Sequence, residues 1–237
     1  MRLDVAQRED PKACVENISY DVTDCRFCRI ASASPGDDGE RAYEIESGVM
    51  AFASKGALVS GWTLIVPKDH ASSMAKMPVR VRENIWRSAE LTRIKVSEYF
   101  GSPAVLFEHG ALNEDSPVSC TTSHTHIHVV PISASVLKHA KEMFPLSGKW
   151  KSLSSREEIA KFKNSDYLMI SEESGCLDVI ELDSPISQYF RRVIASMIGF
   201  PDHWNWRENS ESKFYEETEQ FLAETFSHAG LVINSKA

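Results

Sequence analysis

Between residues 78 and 100 the chain sets Val81, Ile85, Ser88, Leu91, Thr92, Val96 and Phe100 at a period near 3.6, with charges between them. That pattern predicts an amphipathic helix, and Pro78 suits its first turn. Elsewhere the apolar runs are shorter. AYEIES and VMAFAS, either side of Gly48, predict two strands. GWTLIVP at 61–67 predicts a third strand, ended by Pro67, and PAVLFEH and HTHIHVVPI predict two more. TDCRFCRIASAS predicts a short helix after a capped turn at Thr23 or Asp24, and SPGDDGE at 34–40 a loop. Downstream, ASVLKHAKEMF and SSREEIAKFK read as helices, and YLMISEE and CLDVIELD as a strand pair around Ser174-Gly175. SPISQYFRRVIASMIGF reads as a helix stopped at Gly199-Phe200-Pro201, and SESKFYEETEQFLAETFSH as a final amphipathic helix. This order predicts an α+β fold: an arm over 1–22, a core domain over 23–133, and a helical and hairpin extension over 134–237 packed on the core.

Composition narrows the function classes. Hydrophobic residues make up 42% of the 237 and charged residues 25%, enough for a sizeable core. No run of 18 apolar residues predicts a membrane span, and the N-terminal MRLDVAQREDPKACVEN lacks the apolar stretch of a secretory signal. The chain therefore reads as intracellular and cytoplasmic. Its five cysteines are Cys14, Cys25, Cys28, Cys120 and Cys176; an odd count argues against a disulfide framework, and only Cys25 and Cys28 have useful spacing. A net charge of −8 disfavours nucleic acid polymers as partners. A small anionic substrate would need a local positive patch.

Three of the 8 histidines, His124, His126 and His128, fall within five positions. On a strand they share one face, about 6.7 Å apart, while Thr125, Ile127 and Val129 take the other. Three readings fit: a solvated strand face, a metal site built from i, i+2 imidazoles, or nucleophilic catalysis by a neutral imidazole. The preceding loop, GALNEDSPVSCTTS, is long for a hairpin, and long loops are often functional.

The stretch from His124 to Val130 resembles His-φ-His-φ-His-φ-φ, the signature of the histidine triad (HIT) family, with Thr125 the one non-apolar φ position. DCRFCRI is similar to the family's N-terminal Cys-x-x-Cys helix. VMAFASKGALVSGWTLIVPKDHASSM is similar to its second and third strands, where GHxLVIPKxH is usual, and FEHG followed by a loop and the triad resembles a bacterial branch. Together these cover about residues 23 to 132. SQYFRRVIASMIGFPDHWNWR resembles a segment that some HIT-like proteins carry after the core.

The resemblance implies a HIT-like fold, a mainly antiparallel sheet of about five strands flanked by helices, and a homodimer. It implies hydrolysis or transfer at the α-phosphate of a nucleotide or nucleotidyl metabolite. His126 would be the nucleophile, forming a covalent nucleotidyl-imidazole, and His128 would donate to the phosphate. Cys120, Thr121 and Ser123 would hold phosphate oxygens. A structural zinc would sit on Cys25, Cys28, His70 and His124, a closed Cys₂His₂ set, and no organic cofactor is implied. Phe52 and Ile30 stand where the family sandwiches the base. Ser54 stands where many members have a ribose-binding Asp. Glu108, His109, Gln188, Arg191 and Arg192 are further candidate substrate contacts, the arginines because guanidinium suits phosphate. Trp204 and Trp206 are expected to pack the extension on the core. The long loop replaces the usual GxxAGQS/T, and its Glu114 and Asp115 would repel a polyphosphate unless they point away. Two other functions fit the same residues: a non-catalytic nucleotide-binding module, and a metal-dependent hydrolase with His126 and His128 on the metal.

Overall fold

The computed structural model describes residues 25–32, 41–119, 123–209, 213–226 and 232–233. Five helices are described: α1 (Arg26–Ser32), α2 (Val79–Phe100), α3 (Val136–Met143), α4 (Tyr189–Met197) and α5 (Lys213–Phe226). The strands are β1 (Ala42–Glu46), β2 (Val49–Ala53), β3 (Thr63–Pro67), β4 (Ala104–Gly110), β5 (Ile127–Pro131), β6 (Lys151–Leu153), β7 (Tyr167–Ser171), β8 (Leu177–Glu181) and β9 (Val232–Ile233). They form one antiparallel sheet in the order β6-β8-β7-β4-β5-β3-β2-β1-β9. Among the described residues no helix is long and apolar enough to cross a membrane.

The fold class is as the sequence predicts, but the sheet has nine strands where about five were expected. The reason lies in β7. Its five residues are all buried, and it pairs along the edge of β4 that β5 leaves open, from Leu106↔Ser171 to Gly110↔Tyr167. The extension therefore continues the core sheet through β7, β8 and β6. At the far side β9 adds to β1. SSREEIAKFK forms a 3₁₀ turn over Arg156–Phe162 instead of an α-helix, and no side-chain cap opens it at Ser155. The helix expected over SPISQYFRRVIASMIGF starts only at Tyr189, because Gln188 has φ 55° and a left-handed residue cannot continue a right-handed turn.

Both faces of the sheet are covered. On one, α2 sets Ile85, Trp86, Ala89 and Val96 against Ile65, Ile127 and Val129, and α5 adds Phe221 and Leu222. On the other, α1, α3 and α4 bring Phe27, Ile30, Val136, Phe190 and Ile194 to Phe52, Leu64, Phe107 and Val130. Leu91, expected on the buried stripe of α2, is 42% exposed; Trp86 and Ala89 take that side instead.

Alternation along β4 sends Leu106 to the α2 face and Val105 and Phe107 to the other. Glu108 follows Leu106. Its carboxylate accepts from Met74 N (2.7 Å), Thr125 Oγ1 (2.6 Å) and Tyr167 Oη (2.6 Å). This corrects its assignment as a substrate contact: three donors behind the sheet occupy it, and they tie the triad segment to β7. Gly110 makes the arrangement possible, since a Cβ there would lie 2.1–2.6 Å from Tyr167 ring atoms.

Burial pushes the Glu108 carboxyl up to about 7, against the pull of its donors. A carboxyl that titrates higher folded than unfolded favours the fold most when protonated. Its contribution is complete below the ordinary value of 4.5 and is lost as pH rises through about 7. Glu108→Gln should therefore flatten the fall in unfolding free energy across that window, as read by denaturant melts at a series of pH values.

Candidate functional site

The regular strand β5 begins at Ile127, later than the sequence pattern suggests, yet the alternation already holds upstream. Thr125 N donates to Ala71 O (2.6 Å), and the Thr125 hydroxyl turns to Glu108 behind the sheet. His124, His126 and His128 all turn to the α1 face, where each meets a different environment.

His124 joins Cys25, Cys28 and His70. Their four potential ligand atoms all lie within 4.8 Å of one another. Sulfur–nitrogen separations are 3.4 Å for Cys25–His124, 3.2 Å for Cys28–His70 and 3.5 Å for Cys28–His124. A tetrahedral ion with bonds of about 2.3 Å to sulfur and 2.0–2.1 Å to nitrogen would set such pairs about 3.5 Å apart. The outer nitrogens fit as well. His124 Nε2 donates to Pro67 O (2.8 Å), and His70 Nε2 donates to the Glu114 carboxylate (3.1 Å). Both Nδ1 lone pairs are thereby left facing the sulfurs, as ligation requires. Burial, then the neighbouring Cys25, pushes the Cys28 thiol up to about 12; a cation between the sulfurs would reverse that. The residues present fit a metal ion. Glu114 bonds to His70 and is not among the residues that line the cleft at His126.

His126 is half-buried and lines a cleft of about 590 Å³, counted to its open mouth. Its Nδ1 donates to the His124 carbonyl (2.8 Å), so in the neutral ring Nε2 carries the lone pair. Burial lowers its pKa, and Arg26 lowers it further, while the bond to His124 O opposes them.

His128 also lines the cleft. Trp62 Nε1 donates to its Nδ1 (2.9 Å). Indole N–H can only donate, so the His128 proton must sit on Nε2. The ring stacks on Phe107 at 4.4 Å and 17°. Burial, reinforced by His126, His109 and Arg191, holds its pKa well below 6.5. His128 is thus a neutral N–H donor.

The other predicted contacts divide. Ser54, His109, Gln188 and Arg191 line the cleft with His126 and His128. His109 Nε2 accepts from Phe190 N (3.1 Å), and burial takes its pKa down to about 3. Arg191 is buried, with Nε on Trp204 O (2.9 Å), Nη2 on Gly56 O (2.5 Å) and its guanidinium over Trp62. It acts as a clamp within the fold. Arg192 lies outside the lining, stacked on Trp204 with Nε on Ser187 O (3.0 Å). Phe52 and Ile30 are 1% and 2% exposed and belong to the core, not to the cleft. Ser123 is buried, and its hydroxyl has no partner among the described residues. Cys120 and Thr121 lie outside the described residues. Sequence reasoning missed Arg26, Phe27, Lys55, Leu64, Val118, Ser119 and Trp206 as lining residues. Arg26 and Phe27 sit inside the Cys-x-x-Cys spacing, and Lys55 follows Ser54; those adjacencies were the available signal.

The family described as "Protein similar to CwfJ C-terminal" matches residues 15–145, over half of the 237. Zinc finger CCCH domain-containing protein 59 of Oryza sativa is 26% identical over 211 residues, 80% of this chain and 32% of that protein. The chain thus spans about a third of the length of such CCCH relatives. An uncharacterized HIT-like protein of Borreliella burgdorferi is 30% identical over 117 residues, 46% of this chain and 75% of that protein. A solved HIT-like protein from Bartonella henselae is 16% identical, covering 62% of this chain and 98% of that one, with a TM-score of 0.40.

The Trp62–His128 bond gives a direct test of the tautomer. Nitrogen NMR should find His128 neutral and protonated on Nε2. In Trp62→Phe that preference should weaken by about fivefold, the worth of one buried hydrogen bond of ~1 kcal/mol.

Proposed function

This chain belongs to the family of proteins similar to the CwfJ C-terminal region and to the HIT-like proteins, and from that membership and its site we propose that it cleaves or transfers nucleotides at an α-phosphate. The observation that carries this reading is the His126 Nδ1–H bond to the His124 carbonyl, which leaves Nε2 as a fixed lone pair on the cleft. That nitrogen attacks phosphorus. An N–P bond forms as the bond to the leaving group breaks, and the leaving group departs with the electron pair. Water or another acceptor then attacks the phosphoramidate, breaks the N–P bond and releases the ring. His128 Nε2–H donates to a non-bridging oxygen without carrying a proton into the reaction. Arg26, Lys55 and Arg191 make the lining basic, and among the described residues it contains no Asp or Glu. A chain of net charge −8 thus keeps a local positive patch for an anion.

The metal at Cys25, Cys28, His70 and His124 we propose to be zinc, on its two-sulfur, two-nitrogen donor set. When bound it supplies a structural tie between α1 and the triad segment. His126 and His128 are not in that group of ligands, which speaks for a nucleophilic role and against a metal-dependent hydrolase.

Replacement of His126 by Ala should remove turnover of adenylylated and guanylylated substrates by several orders of magnitude. A nucleotidyl-protein adduct should be trapped only when His126 is present. Binding without turnover in the parent protein would instead identify a non-catalytic module. Elemental analysis should find one zinc per chain. Cys28→Ser should lose it and melt lower, whereas His126→Ala should keep it.

A further inference from the structure

We propose that Trp206, supplied by the C-terminal extension, is the surface on which the substrate's base stacks. The inference rests on the nucleotide reading above and names the residue that would set its specificity. The core residues expected to sandwich a base, Phe52 and Ile30, are buried and do not line the cleft. The apolar residues that do line it are Phe27, Leu64, Val118 and Trp206, and the first three are themselves buried. Trp206 alone of these four is partly exposed. Among the apolar lining residues the indole is thus the one with surface left for a flat ring.

The backbone that carries the indole is also held in place. Trp206 N donates to Gln188 Oε1 (3.3 Å), and Gln188 is the one non-glycine residue with positive φ among those described. Arg191 joins the Trp204 carbonyl to the Gly56 carbonyl and so locks this turn against the loop after β2. Gly56 leaves the room needed: a Cβ there would come within 2.9 Å of Trp206 Cβ and 3.0 Å of Trp206 Cα. The Arg207 guanidinium lies over the indole, 5.6 Å from a ring centroid, and the base takes the opposite side. Every nucleobase has a π-face, and indole offers the largest side-chain platform for it. A purine, with two rings, overlaps that platform more than a pyrimidine.

The test compares a ligand with a base and one without. Calorimetry on the full chain would measure AMP, CMP and ribose 5-phosphate against the parent protein, Trp206→Ala and Trp206→Phe. Trp206→Ala should weaken AMP by about tenfold or more and leave ribose 5-phosphate unchanged, the range expected for one lost base–aromatic stack. Trp206→Phe should recover most of the AMP affinity, and the parent should prefer AMP to CMP. Unchanged AMP affinity in Trp206→Ala overturns the proposal. So does an equal loss for AMP and ribose 5-phosphate, which would make Trp206 a prop for the extension only. If the parent protein binds none of the three, the nucleotide reading itself fails, a result distinct from failure of the stacking residue.

Discussion

Strand β5 is hydrogen-bonded along both edges, to β3 from Thr63↔Val129 to Ile65↔Ile127 and to β4 from Ala104↔Pro131 to Phe107↔His128. A strand held on both sides cannot slip by one residue without turning its buried side chains out. Ile127 and Val129 are fully buried against α2, so the register is set by apolar packing. The imidazoles on the opposite face are then placed as a consequence. The Glu108 network extends the same constraint upstream of the regular strand, because Thr125 is bound to a carboxylate that also holds β7.

The extension has two physical parts in this arrangement. Through β7 it covers an edge of β4 that would otherwise present unpaired backbone. Through α4 and the turn after it, it brings Gln188, Arg191 and Trp206 to the cleft. Arg191 links the two parts, lying over Trp62 while its nitrogens hold two loop carbonyls. Trp62 in turn holds His128. The wall of the cleft and the tautomer of a triad histidine are therefore joined by direct contacts, although the residues come from distant parts of the chain.

Charge is sorted at short range. The acidic loop residue Glu114 is drawn to His70, while the cleft keeps cationic residues and neutral imidazoles. Burial favours the neutral form of all three triad rings, so the site presents lone pairs and N–H donors in place of imidazolium charges.

Much of this was legible in the chain itself. A period of two around three histidines specified one shared face, and the resemblance to the HIT pattern implied Cys25, Cys28, His70 and His124 as a ligand set, which the fold brings together. Those signals are local, or belong to a pattern whose members can be compared one by one. The separate environments of His124 and His128 were not local. They depend on a carbonyl at Pro67, an indole at Trp62 and a thiol at Cys25, which lie 57, 66 and 99 residues from their partners. The same holds for β7 on β4, for Glu108 turning away from the cleft, and for Trp206 entering it. Sequence alone determined which side chains share a face. Only the tertiary structure decided what each one meets there, because a hydrogen bond or a stack requires two groups to converge within a few ångströms, and that convergence comes from the packing of the whole sheet.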